Sequence, residues 1–246
     1  WKHKMLLMLI NTGSHQKMKR AAVEMMLERR VDGIIYATMY HRPASPPVNL
    51  REVPTVLLDC FTEDRSYPSV VPDEVKGGYT ATKFLIEKGH RRIGFINNSY
   101  PVPATSGRLE GYKQALAEFD IPYHVDLVRT AESEPSSGYD RTLDILKLDD
   151  RPTALFCFND RIAMGAYDAL RKLNLSIPED MAVIGFDNQE LIAAYIHPGL
   201  TTMELPHYEM GQWAIKHLLE IIDHPERDVS PIQHTIECPL IERTSA

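Results

Sequence analysis

Short apolar runs separated by helical patterns recur along this chain of 246 residues, and they constrain its fold more than any other feature. Most of the runs are continuous rather than alternating, as in strands that are covered on both faces. They begin at Met5, Gly33, Thr55, Arg92, Asp126, Ala154 and Ala182. Strand, helix and strand in repetition predict an α/β protein with parallel sheets and right-handed crossovers.

The segments between the runs have the period of a helix. Residues 160–174 place Ile162, Ala166 and Leu170 on one face and charged residues elsewhere, so we expect a packed helix there. The stretches "KGGYTATKFLIEKGHRR" and "SGRLEGYKQALAEFD" have the same character. A late helix is expected from about Pro206 to Ile222, followed by an extended segment from about Ile232 to Glu242.

The number of predicted strands is high for one sheet, and an extended stretch with prolines, "YPSVVPDE" from Tyr67, divides the chain. We therefore expect two doubly wound parallel-sheet lobes joined by three crossover segments. The predicted N-terminal lobe comprises residues 1–71 and 206–228, and the predicted C-terminal lobe comprises residues 72–205 and 229–246. Hinges are expected near Pro72, between Met203 and Pro206, and between Val229 and Pro231.

The composition excludes several classes of function. The formal net charge of -7 argues against nucleic-acid binding by this segment itself, because such binding needs clustered Lys and Arg. The three cysteines are far apart, so neither a disulfide framework nor a cysteine metal site is expected, and a reducing, cytoplasmic location is favoured. The usual motifs of nucleotide-binding proteins, zinc proteases and hydrolases are absent from the sequence. We therefore expect no cofactor, no metal and no enzymatic activity.

Polar residues follow two of the predicted strands, at the edge where a doubly wound sheet binds its ligands. Asn159 follows the run from Ala154, and Asp187 follows the run from Ala182. An amide both donates and accepts hydrogen bonds and a carboxylate accepts two, so the pair suits adjacent sugar hydroxyls or a purine edge. Asn159 also suits a turn. We expect Asp160 to be the N-cap of the next helix rather than a ligand contact.

Two further charged residues are candidates with open alternatives. Arg108 is expected to open the helix "SGRLEGYKQAL", where a cation opposes the helix dipole and an anion or a hydroxyl clamp in a pocket would explain that cost. The alternative for Arg108 is a surface ion pair with Glu110 or Glu132. Asp59 ends the run from Thr55 and either faces a ligand or caps a turn.

Six short motifs follow one another along the chain: Gly-His before a strand, Arg-x-x-Gly-Tyr, Asn-Asp-x-x-Ala-x-Gly, Pro-Glu-Asp, Val-Ile-Gly-Phe-Asp and Leu-Thr-Thr. In this order they closely resemble the effector-binding core of the lactose-repressor and galactose-repressor family of bacterial transcription regulators. The resemblance extends from about Asn11 to Arg243. The combination is highly specific, although no single motif would suffice.

The resemblance implies a periplasmic-binding-protein-like pair of lobes of type I, with the effector, usually a sugar or a related small metabolite, in the cleft between them. Such regulators are homodimers, and the effector changes the affinity of attached helix-turn-helix heads for operator DNA. Matched by position, Arg108 corresponds to the effector-clamping arginine of the family. Asn159 and Asp187 correspond to residues that hold effector hydroxyls or ring nitrogens.

The resemblance assigns three more residues to the pocket, but more loosely: Asp59, Thr38 and Ser133. Ser133 falls where relatives often carry an aromatic residue that stacks on the ligand.

Relatives also begin with a helix-turn-helix head, a hinge helix and a first strand and helix, so the head is expected to be absent from this chain and the first lobe to be incomplete at its N-terminus. The expected function is effector sensing in a DNA-binding repressor. The alternative is a secreted sugar-binding component of a transporter, which shares the fold.

Overall fold

A computed structural model describes residues 5–13, 15–225 and 231–246 of the chain. The helices of these residues are α1 (Gln16–Glu28), α2 (Glu74–Glu87), α3 (Pro103–Glu118), α4 (Pro135–Leu146), α5 (Asp160–Lys172), α6 (Glu190–Ala193) and α7 (His207–Asp223). The strands are β1 (Ile34–Pro43), β2 (Thr55–Phe61), β3 (Ser69–Pro72), β4 (Ile93–Asn98), β5 (Val128–Ala131), β6 (Ala154–Cys157), β7 (Ala182–Asp187), β8 (Thr201–Glu204), β9 (Gln233–Ile236) and β10 (Leu240–Ile241). The predicted α/β class with parallel sheets is therefore confirmed.

The strand predicted at Met5 is wrong, whereas the other six apolar runs each overlap a strand. Residues 5–10 have no regular secondary structure, and Leu6, Leu7 and Leu9 are about nine-tenths exposed. An apolar run raises the tendency to form a strand, but a strand also needs a hydrogen-bonded neighbour. The described sheets do not include this run.

Contacts between residues divide the chain into two compact units. The first unit comprises Trp1–Val71 and Glu209–His234, and the second comprises Pro72–Tyr208 and Thr235–Ala246. The chain therefore passes between the units three times, as the sequence predicts. The predicted lobe boundary at 228/229 and the hinge at Val229 lie in 226–230, outside the described residues.

The first unit contains a four-stranded sheet with the order β1-β2-β3-β9. β1 and β2 pair in parallel from Ile34 and Thr55 onwards, and β3 pairs in parallel with β2. Its small apolar core consists of Val23 on α1, Ile34, Leu50 and Val53.

The second unit contains a six-stranded sheet with the order β10-β8-β7-β6-β4-β5. β4 to β8 are parallel, and only β10 runs antiparallel to its neighbour β8. β4, β6 and β7 are almost entirely buried, which explains why their sequences are continuous apolar runs. This unit carries the larger apolar core.

Glycines allow the helices of the second unit to pack closely in pairs. A Cβ on Gly111 of α3 would collide with the backbone of Val75 and Tyr79 on α2. A Cβ on Gly165 of α5 would collide with the backbone of Pro135 and Tyr139 on α4. Each pair therefore depends on the missing side chain at the contact.

Among the described residues, no helix is both long enough and apolar enough to span a bilayer.

Candidate functional site

The candidate site lies at the carboxyl ends of β4, β6 and β7 in the second unit. The chain leaves β4 for β5 on one side and returns to β6 on the other, so the switch point of this sheet is between β4 and β6. Doubly wound sheets bind ligands outside the strand ends at such a point. β4 ends at Asn98, Phe158 and Asn159 follow β6, and β7 ends at Asp187.

Arg108 crosses these strand ends from α3, and its side chain is only 3% exposed. Its Nε donates a hydrogen bond to Glu74 Oε2 at 2.8 Å, and its Nη1 donates to the carbonyl oxygen of Phe158. Nη1 also lies 3.7 Å from Asp187 Oδ1. Among the described residues, Nη2 has no hydrogen-bond acceptor. Arg108 thus links β6, β7 and the start of α2 while it keeps donors for a ligand.

Two aromatic rings fix the plane of this guanidinium. The central carbon Cζ of Arg108 lies 3.5 Å from the ring centre of Phe186 and 4.3 Å from that of Phe158. Aromatic faces attract a cation and hold a planar guanidinium in one orientation. Burial lowers the pKa of Arg108, but attraction to Glu74 and Asp187 outweighs burial and the net pKa is raised. The group therefore remains a cation.

The expectation that Arg108 opens its helix is wrong. α3 begins at Pro103, so Arg108 lies in the second turn and the helix dipole does not explain its presence. A surface ion pair with Glu110 or Glu132 is also not observed. The partner of Arg108 is the buried carboxylate of Glu74, which lies 34 residues earlier in the chain.

Asp187 has an unusual backbone conformation at the end of β7. Its φ angle is 102°, which is rare for a residue with a side chain and is typical of functional sites where the surrounding structure imposes it. Its side chain is 18% exposed, and Gln189 Nε2 donates to its Oδ2 at 3.2 Å. Burial raises the pKa of the Asp187 carboxyl to about 6, although Arg108 and the hydrogen bond from Gln189 oppose the shift.

Asn159 is the N-cap of α5, and the expectation that Asp160 fills this position is wrong. The Asn159 Oδ1 accepts a hydrogen bond from the backbone N–H of Ile162 at 2.9 Å. The cap uses the amide oxygen, and the Nδ2 group has no acceptor among the described residues, so it remains a donor for a ligand. Asn159 can therefore cap the helix through Oδ1 and contact a ligand through Nδ2, so the two roles considered for it do not exclude each other.

Asp160 is the first residue of α5 and is fully buried. Its Oδ1 accepts from Thr202 Oγ1 at 2.6 Å, and its Oδ2 accepts from the backbone N–H of Gln189 at 2.7 Å. Burial raises the pKa of Asp160 to about 7. Asp160 thus fixes the loop that follows Asp187 to the neighbouring strand β8.

The looser candidates are described within their own units. In the first unit, Thr38 Oγ1 lies 3.0 Å from the carbonyl oxygen of Asp59 and 2.7 Å from that of Tyr40, so the structure brings Thr38 and Asp59 together. Asp59 is buried with a φ of 56°. In the second unit, Ser133 is half-buried just after β5. Contacts of these three residues with an effector stay predictions.

Three residues around Arg108 were not among the predicted site residues: Glu74, Phe158 and Phe186. The two phenylalanines have a readable signal, because each directly precedes one of the polar residues that follow β6 and lie at the end of β7. Glu74 has only a weak signal: it follows the N-cap Asp73, and a glutamate in the first turn of a helix is ordinarily exposed.

Comparison with known proteins gives one consistent result. Residues 82–246 match the family of the periplasmic binding protein-like domain. The chain is 36% identical over 231 residues to the HTH-type transcriptional repressor PurR of Vibrio atlanticus, with 90% of this chain and 67% of the relative covered. It thus spans about two thirds of the length of that relative.

Solved structures agree with this match. A putative transcriptional regulator of the LacI family from Rhizobium etli superposes with a TM-score of 0.87 at 31% identity, with 96% of this chain and 86% of that chain covered. A LacI family transcriptional regulator from Enterococcus faecium with bound ribose gives a TM-score of 0.74 at 31% identity, with 92% and 84% covered.

Proposed function

Since the chain belongs to the LacI family of transcriptional regulators, with a periplasmic binding protein-like core, we propose that its effector is a small sugar held at the strand ends of β4, β6 and β7. The chain is the effector-sensing part of a regulator rather than an enzyme, since its relatives are transcriptional repressors. That family assignment also disfavours the alternative of a transporter component.

The observation that carries the sugar proposal is the set of polar groups left for a ligand around Arg108. Arg108 Nη2 and Asn159 Nδ2 supply donors, and the carboxylate of Asp187 supplies acceptors. A sugar hydroxyl both donates and accepts, so adjacent hydroxyls fit a donor beside an acceptor. A nucleobase edge fits the same groups and is the second ligand class to test. The ribose in the Enterococcus faecium neighbour is consistent with the first class.

Regulation of DNA binding is proposed for the whole protein. The net charge of -7 argues against operator binding by this segment itself, so we place the proposed DNA contact in a helix-turn-helix head of the kind that the family resemblance implies. The effector would act by binding one arrangement of a homodimer better than another, because only a difference in affinity shifts an equilibrium. A regulator that binds operator DNA acts in the cytoplasm of a bacterium, and this location is part of the proposal.

A ligand screen followed by calorimetry tests the proposed site. A thermal-shift screen of neutral sugars and nucleobases selects the compound that most raises the melting temperature, since a ligand of the folded state alone stabilises that state. Calorimetry of Asp187→Asn should then show binding that is weaker by about 1–3 kcal/mol, because a charge-assisted hydrogen bond is lost. Asp168→Asn on the exposed part of α5 is the matched control and should bind like the wild type. Unchanged affinity in Asp187→Asn would remove the residue from the site.

A further inference from the structure

Glu74 is a buried carboxylate that lies beside the arginine of the candidate site. It is the first residue of α2 and is 5% exposed, and its Oε2 accepts the 2.8 Å hydrogen bond from Arg108 Nε. The N-terminus of a helix stabilises a negative charge, so the position of Glu74 in the first turn of α2 suits this ion pair. Arg108, the cation of the candidate site, is therefore already paired with an anion before any ligand binds.

Besides Glu74, a second carboxyl group lies near this guanidinium. Asp187 Oδ1 lies 3.7 Å from Arg108 Nη1, and Asp160 lies close enough to Asp187 to interact with it electrostatically. The second nearby cation, Arg243, is engaged with Asn188 Oδ1 at 2.8 Å and with the carbonyl oxygen of Leu200 at 2.8 Å. Arg108 thus lies beside two carboxyl groups, those of Glu74 and Asp187, and these acidic side chains offset its positive charge.

We propose that Glu74 is a specificity-determining residue that makes the site accept neutral effectors and reject anionic ones such as sugar phosphates. The proposal rests on the function proposed above and adds the charge class of the ligand. A phosphate or carboxylate that contacts Arg108 Nη2 would compete with Glu74 for the same cation. It would also lie close to the carboxyl group of Asp187, and like charges held together in a buried site repel strongly.

A neutral hydroxyl meets neither obstacle. It accepts a hydrogen bond from Arg108 Nη2 and donates one to Asp187 without separating Arg108 from Glu74. Arg108 then donates a hydrogen bond to the ligand while Glu74 balances its charge. The geometry of the pair is kept, because Phe186 and Phe158 hold the guanidinium in place. An anion could bind Arg108 only if the buried pair with Glu74 broke, or if a second negative charge stayed in the site without a cation to compensate it.

The test compares matched neutral and anionic compounds on the chain and on a Glu74→Gln variant. The probes for calorimetry are D-ribose with ribose 5-phosphate and D-glucose with glucose 6-phosphate. In the wild type, the neutral member of the pair that binds should bind at least about 10-fold more tightly than its phosphate ester. In Glu74→Gln, which keeps an acceptor for Arg108 but loses the charge, this ratio should fall by at least about 5-fold because the phosphate ester binds more tightly.

Two further variants separate the charge of Glu74 from its structural role. Glu74→Asp keeps the charge and should keep the neutral preference. Glu110→Gln makes the same change of net charge on the exposed part of α3 and should leave the ratio unaltered. Circular dichroism melts establish that each variant is folded, and the wild-type comparison alone tests the preference if Glu74→Gln does not fold.

The outcomes distinguish this inference from the function on which it rests. Equal or tighter binding of a phosphate ester by the wild type would overturn the role of Glu74 while it supports a sugar-binding site. A ratio that is unchanged in a folded Glu74→Gln variant would also overturn that role. Binding of none of the four compounds, when no neutral sugar raises the melting temperature in the screen either, would contradict the proposed sugar effector itself, and the role of Glu74 with it.

Discussion

Asp160 carries the clearest prediction at the scale of a single residue. Its carboxyl group is fully buried, and burial raises its pKa from 3.8 to about 7. Between about pH 4 and pH 7, the folded protein therefore holds a proton that the unfolded protein has already released. The stability contributed by the neutral form is lost as the pH rises through 7. Relative to Asp160→Asn, the wild type should gain about 2 kcal/mol in free energy of unfolding when the pH falls from about 7.5 to about 5.

Urea denaturation at several pH values measures this difference. Asparagine resembles the neutral carboxyl in shape, and it can keep the contacts with Thr202 and the backbone of Gln189. Asp168→Asn serves as control for the loss of a carboxyl group on the same helix, since its side chain is 55% exposed. Parallel pH profiles for the wild type and Asp160→Asn would show that Asp160 does not titrate in this range.

The positions of single site residues were predictable from the sequence, but their partners were not. Asn159 and Asp187 lie at the strand ends as predicted, because a polar residue after a buried apolar run marks such an end. The ion pair between Arg108 and Glu74 was not predictable, since the partners are 34 residues apart and the contact depends on how α2 and α3 pack. The exchange of roles between Asn159 and Asp160 was also missed, because both residue types cap helices well.

The close pairing of α2 with α3 gives the prediction at the scale of elements. Gly111→Ala places a methyl group against the backbone of Val75 and Tyr79, so the helices must move apart. We expect a loss of about 1–3 kcal/mol in the free energy of unfolding, as for other overpacked sites. Chemical denaturation monitored by circular dichroism measures the loss.

Gly211→Ala on α7 is the matched control for the same change of residue. A Cβ on Gly211 has no atom within 4 Å beyond its own helix and chain neighbours. Alanine favours a helix over glycine, so this variant should gain about 0.5–1 kcal/mol. If both variants shift stability equally and in the same direction, close packing at Gly111 does not determine the α2–α3 pair.

Elements were predictable where local pattern decides them. The buried strands of the second unit read as continuous apolar runs, and α5 starts at the predicted residue and ends within two residues of the predicted end. The run at 5–10 has the same local pattern without forming a strand in the described sheets, because pairing depends on a distant neighbour. Local sequence thus predicts the tendency to form a strand, and long-range contacts decide whether the strand forms.

At the scale of the whole molecule, we expect the effector to change operator affinity. Coupling of about 1–3 kcal/mol would change the affinity of the full-length regulator for its operator by about 5-fold to 150-fold. Asp187→Asn should lose this response and keep the operator affinity measured without effector. Fluorescence anisotropy with an operator selected from random duplexes measures both quantities. An equal response in the variant and the wild type would separate this site from regulation.

The central claim is that Arg108, Asn159 and Asp187 at the switch point of the second sheet hold the effector. The most direct measurement is a crystal structure of the chain with the compound that stabilises it most in the thermal-shift screen. Polar atoms of that compound should lie within about 3.2 Å of Arg108 Nη2 and of the Asp187 carboxylate, with the Arg108–Glu74 pair intact. A compound bound elsewhere, with these groups uncontacted, would contradict the account.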